Sequence, residues 1–147
     1  MEVPSAAHGV IDGAPSSASP LSCADPGALD HLALETDAVV FEGRRTASLC
    51  RLDLKPPDSS DVIVDIEWSG VSAGTERLLW SGEMPPFPGM GYPLVPGYES
   101  VGKVVWADER RELLGKRVFV PGASCYEAAH GLFGASASRI VADAARL

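Results

Sequence analysis

From residue 37 onward the apolar positions come in short runs separated by glycine and proline. "DAVVFEG" (37–43) and "TASLCRLDL" (46–54) flank a Gly43-Arg44-Arg45 turn and predict a β-hairpin. "DVIVDIEWSG" (61–70) alternates, with Val62, Val64, Ile66 and Trp68 on one face and Asp61, Ile63, Asp65 and Glu67 on the other, as in a half-buried strand. "ESVGKVVWAD", "GKRVFVPG" and "ASRIVAD" predict three further strands. Gly102 inside the first of them points to a bulge or a close backbone approach. The clearest helical stretch is "GTERLLWSG" (74–82), with Thr75 as candidate N-cap and Gly82 as terminator. "KPPDSSD" and "MPPFPGMGYPLVPG" are loops, the second holding five prolines. Short strands at close spacing, with no long amphipathic helix, predict a mainly β domain: a small antiparallel barrel or sandwich.

The first 33 residues have a different pattern. They are rich in Ala, Ser, Pro and Gly, and "GAPSSASPLSCADPGA" has too little apolar surface to offset its ordering entropy. The expected organisation is a disordered extension over 1–33 and one folded domain over 34–147. Charge divides at nearly the same place. Of the net −8, residues 1–36 supply −5 through Glu2, Asp12, Asp25, Asp30 and Glu35, with no Lys or Arg. No basic patch with interleaved aromatics occurs, so nucleic acid is not an expected partner. No apolar run reaches the roughly 18 residues of a membrane span, and no secretory signal pattern opens the chain. Cys23, Cys50 and Cys125 form no Cys-x-x-Cys pair, and three scattered cysteines suit a reducing compartment. A cytoplasmic protein is expected.

Candidate chemistry lies in three stretches. "SGVSAGTER" offers Ser72, Thr75 and Glu76 after a strand. The hydroxyls can handle a proton at a substrate alcohol, or Thr75 and Glu76 can simply cap a helix. The loop after the helix carries Trp80, Met84, Phe87, Met90 and Tyr92. On a proline-stiffened backbone these side chains suit a flat apolar ligand, or they staple the loop to its own barrel. "YPLVPGYESVG" (92–102) holds Tyr98 and Glu99 between prolines and glycines, either as a cleft floor or as a barrel turn that tolerates a carboxylate. "GMG" at 89–91 follows a proline and lacks a third glycine, so it is no dinucleotide fingerprint. His8, His31 and His130 are isolated, and no cluster has metal-ligand spacing.

The order of these motifs resembles the catalytic domain of the medium-chain alcohol dehydrogenase/reductase superfamily, a GroES-like, partly open barrel with short helical turns. There, a strand leads to Gly-x-Cys, a later Gly-His-Glu opens a strand of the type "GHE-x-x-G-x-V", and a Gly-Asp-Arg-Val strand comes next. In this chain Ser72 stands at the zinc-binding Cys and Tyr98 at the zinc-binding His, while Glu99 keeps the Glu and Lys116 replaces the Asp. "SAGTE" is one residue longer than the family's Cys-x-Thr-Asp.

"GTERLLWSGEMPPFPGMGYPLVPGYESVG" is similar to a metal-free branch of that superfamily, the hydroxyethyl bacteriochlorophyllide dehydrogenases of bacteriochlorophyll synthesis. The likeness covers roughly residues 37–147. It implies NAD-dependent oxidation of the ring A hydroxyethyl group of a bacteriochlorophyllide to acetyl, without zinc. It further implies that Tyr98 and Ser72 contact the hydroxyl, that Glu99 and Thr75 orient them, and that Trp80, Phe87, Met90 and Tyr92 face the tetrapyrrole. The family's Rossmann unit has no fingerprint in these residues. The expectation is therefore a substrate-binding half that does not bind NAD and does not turn over alone; a full-length form is compatible with a homodimer. A pigment carrier without catalysis, distinguished by affinity without cofactor, and a partner-binding β module, distinguished by self-association without ligand, are the alternatives.

Overall fold

The computed structural model describes residues 32–131 and 133–147. The predicted extension falls outside these residues up to position 31, as do His8, Cys23 and His31. Two residues of the predicted extension are described: Leu32 packs against the main core, and Ala33 O accepts from Arg139 Nη1 at 3.0 Å.

Two antiparallel sheets make the domain. The predicted hairpin is present, with β1 (Glu35–Gly43) and β2 (Thr46–Asp53) joined through Arg44 and Arg45. The second sheet has the order β5-β4-β3-β6, where β3 is Asp61–Ser69, β4 Ser100–Ala107, β5 Arg117–Val120 and β6 Arg139–Asp143. One α-helix, α1 (Ala73–Ser81), crosses from the end of β3 into the proline-rich loop. Isolated bridges, not full ladders, link the hairpin to the rest: Ala38 to Ala137, Phe41 to Leu94, Leu54 to Tyr126, and Leu94 onward to His130. The barrel is therefore only partly closed.

The main core fills the space between the sheets and centres on Val62, Ile63, Val64, Val95, Val104, Val120 and Ile140, all essentially inaccessible. A smaller cluster of Phe41, Leu79 and Leu94 sits under α1, with Met84 and Tyr92 packed against it. Arg139 ties β6 to β3 through a two-pronged pair, Nε to Asp65 Oδ1 at 2.6 Å and Nη2 to Asp65 Oδ2 at 3.1 Å. This fork geometry is the strong form of such pairs.

Three sequence expectations change. The two-residue alternation in β3 fails beyond Ile66, where Glu67 is the extra residue between the pairs Ile66–Gly102 and Trp68–Val101; the shift between Ile63 and Val64 has its extra residue, Val105, on β4. Each bulge adds a residue on one strand and reverses the facing of the residues beyond it. Trp68 is consequently 75% exposed; Ile63 is buried for a different reason, since Val62, Ile63 and Val64 are all inaccessible and β3 is covered on both faces there. The N-cap of α1 is Ser72, in extended geometry (φ −94°, ψ 103°), not Thr75, which lies one turn inside. Gly82 does terminate the helix, in the left-handed region at φ 74°. Trp80 lies on α1 itself, not on the irregular loop after it. As for Gly102, a Cβ there would stand 2.2 Å from the Asp65 carbonyl oxygen, so both features expected of it, a bulge alongside and a close approach, occur together.

Candidate active site

Of the candidate residues, Ser72, Tyr98 and Glu99 lie at one end of the four-stranded sheet. The last pairing of β3 with β4 is Ser69 with Ser100, and Gly70 N donates to Glu99 O at 2.9 Å. Tyr98 and Glu99 thus stand directly before β4, and Ser72 stands three residues after the paired end of β3. The ladder itself brings the two halves of the site together. The Glu99 side chain lies across Gly70, where a Cβ would come within 2.3 Å of Oε1 and 2.5 Å of Cγ. Only glycine at position 70 leaves room for the carboxylate in this position.

Ser72 caps α1 by position, but its side chain makes no capping bond. Its Oγ instead donates to Thr75 Oγ1 at 3.3 Å, while Ser72 O accepts from Glu76 N at 3.0 Å. The two hydroxyls form a pair at the positive end of the helix, where developing negative charge is favoured. Glu76 lies within the same turn. Both of its carboxylate oxygens are buried and have no hydrogen-bond partner among the described residues. Such a group is costly to the fold, and buried orphans concentrate where function requires them.

The aromatic candidates separate into three places. Phe87 and Tyr98 both meet Phe133, with ring centroids 6.2 and 6.1 Å away; the Tyr98 contact is edge-to-face at 74°. Tyr92 and Met84 pack onto the small cluster beneath α1, and the Tyr92 hydroxyl donates to Leu79 O. Trp80 lines a separate depression with Arg45, Arg77, Ser81 and Glu83. Met90 is partly buried on the loop, its N–H donating to Phe87 O at 3.2 Å. Phe133 was not visible as a site residue in the sequence. It sits in "GLFG", a glycine-rich stretch with no periodicity, and only the fold brings it beside Tyr98.

Ser136 connects this region to the hairpin. Its carbonyl accepts from Val39 N at 2.9 Å, and its Oγ lies where a Cβ on Gly97 (φ 84°) would have to go. Next to it runs an open groove of about 320 Å³ whose walls include Val39, Leu49, Ile66, Trp68 and Val71, with Asp37 and Glu67 on its rim.

Among the described residues no group of three His, Cys, Asp or Glu side chains could hold a metal ion. At the two positions that the sequence resemblance sets against zinc ligands, the donors are a hydroxyl, Ser72, and a phenol, Tyr98. Catalytic zinc takes thiolate, imidazole and carboxylate, so this donor set does not fit it. No helix among the described residues is long and apolar enough to cross a membrane.

Residues 58–147 match the alcohol dehydrogenase GroES-like domain. The chain is 48% identical over 116 residues to the 2-desacetyl-2-hydroxyethyl bacteriochlorophyllide A dehydrogenase of Rhodobacter capsulatus, covering 78% of this chain and 37% of that protein. It is 47% identical over 119 residues to the protein of the same name from Cereibacter sphaeroides, covering 77% and 37%. The chain therefore spans somewhat over a third of the length of the curated relatives it matches. Among solved structures, it superposes on a putative alcohol dehydrogenase from Sinorhizobium meliloti with a TM-score of 0.62 at 18% identity, over 78% of this chain and 40% of that one. An Escherichia coli alcohol dehydrogenase in complex with NADH gives 0.59 at 19%, over 76% and 37%. At these identities the structural matches establish the fold, a GroES-like barrel.

Proposed function

Because this chain belongs to the alcohol dehydrogenase GroES-like domain family, we propose that it is the substrate-binding half of a zinc-free bacteriochlorophyllide dehydrogenase. The reaction is the oxidation of a ring A hydroxyethyl group to acetyl. The observation that carries this reading is the meeting of Tyr98 with the Phe87–Phe133 ring pair at the sheet end that also presents Ser72. A phenol at the edge of an aromatic wall suits a secondary alcohol attached to a flat ring system. The two relatives whose names specify that substrate supply its identity.

Ser72 Oγ, which donates to Thr75 Oγ1, takes the proton of the substrate hydroxyl only as it passes its own along that bond, and Thr75 in turn releases its proton to solvent. Tyr98 donates to the same oxygen and stabilises the charge that develops on it. Thr75 orients Ser72. Glu99, seated over Gly70, sets the electrostatics of the turn that presents Tyr98. Phe87 and Met90 give the macrocycle an apolar face; Tyr92 staples their loop to the barrel, and Trp80, on α1, lines a separate depression. NAD, if bound beside this domain, would supply the acceptor for the hydride. The neighbouring groove adds apolar surface suited to a ligand much larger than a simple alcohol. The domain consists of residues 34–147, works in the cytoplasm, and shows no turnover without a nucleotide-binding partner region.

The test is a titration of the purified chain with 2-desacetyl-2-hydroxyethyl bacteriochlorophyllide a, following tryptophan quenching, with a linear tetrapyrrole as control. Saturable quenching by the macrocycle is expected, with an affinity at least about tenfold higher than that of the linear control. A folded chain that binds neither pigment, or both equally, refutes the reading.

A further inference from the structure

Phe133 is held more firmly than a loop residue ordinarily is. Its carbonyl accepts from Ala123 N at 2.9 Å, and the backbones on either side approach so closely that only glycines fit. A Cβ on Gly122 would lie 2.4 Å from Phe133 O, and one on Gly134 (φ 44°) would lie 2.1 Å from Ala123 O. The next three residues are bonded directly to the stretch leading into Tyr98. Gly134 N donates to Val95 O at 3.2 Å, Ala135 N to Gly97 O at 3.0 Å, and Ser136 N to Pro96 O at 3.0 Å. Backbone pairing therefore sets the spacing of Phe133 and Tyr98, independently of what their side chains gain from touching.

Phe133 is also the only one of the three rings in contact with both others. The Phe87 ring comes from the proline-rich loop and Tyr98 from the turn before β4; Phe133 lies between them and remains partly exposed. Aromatic pairs at such distances have a preferred tilt, so the middle ring dictates the orientation of the outer two.

We propose that Phe133 is a specificity-determining residue: it aligns Phe87 and Tyr98 into one wall that accepts a planar macrocycle and rejects a flexible chain of the same composition. The inference rests on the tetrapyrrole reading and names the residue that imposes flatness. Phe133 acts by ring shape, so apolar bulk of another shape does not replace it.

Three variants of the purified chain test this: Phe133→Leu, Phe133→Met and Phe133→Tyr, with circular dichroism and urea midpoints to establish folding. The probes are hydroxyethyl bacteriochlorophyllide and a linear tetrapyrrole. With Leu or Met, affinity for the macrocycle falls about tenfold while that for the linear pigment is unchanged; with Tyr, macrocycle affinity stays within about twofold. The Met side chain is flexible enough to fill the site if Leu does not fold. Macrocycle affinity unchanged in the Leu or Met variant overturns the inference but leaves the tetrapyrrole reading standing. So does an equal loss for both pigments, which reports a merely structural role. Failure of the unsubstituted chain to bind the macrocycle overturns both.

Discussion

Replacing Gly102 with alanine perturbs the seam on which the whole site depends. The added methyl would stand 2.2 Å from the Asp65 carbonyl oxygen, 2.8 Å from Val64 Cγ1 and 2.9 Å from the Asp65 carbonyl carbon. Two of these three atoms are backbone of β3, so no rotamer change relieves the contact. Reaching an ordinary separation of about 3.5 Å requires β3 and β4 to part by roughly 1 Å. Overpacking of this kind costs about 1–3 kcal/mol. Parting the strands also weakens one or two ladder hydrogen bonds, worth about 1 kcal/mol each. The expected loss is therefore about 3–4 kcal/mol, a large share of a small domain's stability. With a urea m-value of about 1.5 kcal/mol/M, the midpoint drops by roughly 2 M at unchanged slope. Gly74→Ala is the matched control. It adds the same methyl in the first turn of α1, where nothing lies within 4 Å, and stabilises by about 0.5–1 kcal/mol. A Gly102→Ala midpoint within 0.3 M (about 0.5 kcal/mol) of the parent would refute the argument.

Gly70→Ala leaves the fold intact at a cost of about 1 kcal/mol, because the displaced group is the side chain of Glu99 and not backbone. Pigment affinity is expected to fall more than stability does; the reverse order counts against Glu99 as part of the site. Glu76→Met removes two buried, unpartnered carboxylate oxygens and raises stability by about 1–3 kcal/mol in urea titrations. A less stable Met variant means that those oxygens are satisfied in solution. Burial pushes both the Cys125 thiol and the Tyr126 phenol up from their ordinary values of 9.0 and 10.0, and the neighbouring thiol adds to the phenol's shift. Both groups stay protonated in the fold while the unfolded chain ionises. Stability is thus complete below about pH 8.5 and falls above it by up to about 1.4 kcal/mol per pH unit per group. Urea midpoints at pH 8 and pH 10.5 check this, and a flat profile contradicts it.

The sequence made elements legible where a local rule acts alone. The hairpin came from two apolar runs around Gly43-Arg44-Arg45, and the end of α1 from Gly82, because turn chemistry and left-handed backbone are properties of single residues. It misled where tertiary structure overrides period. The bulge at Glu67 of β3 lies beside the close approach at Gly102 on the neighbouring strand, and it turned Trp68 outward. Ser72 was legible as a hydroxyl at a strand end, but its place as the residue preceding α1 depends on where the helix starts, which is among the least certain features of any sequence reading. The partly open barrel was legible only through the resemblance, since single bridges such as Phe41 to Leu94 leave no periodic trace. For the same reason Phe133 was missed: its role comes from pairing between 134–136 and 95–97, more than thirty residues apart. The aromatic loop divides between binding and stapling. Phe87 reaches the candidate site, whereas Met84 and Tyr92 secure the loop to the barrel.

The displacement of Trp68 has an optical consequence. The chain's three indoles occupy three depths: Trp68 is 75% exposed, Trp80 37% and Trp106 5%, the last with its Nε1 away from water. An ionic quencher such as iodide therefore extinguishes them in that order, leaving a blue-shifted remnant from Trp106 that reports only on core integrity. A bound macrocycle, by contrast, drains each emitter according to distance and not depth. Comparing the two patterns in single-tryptophan variants turns the protein's own fluorophores into a triangulation of where the pigment plane lies, with no label attached.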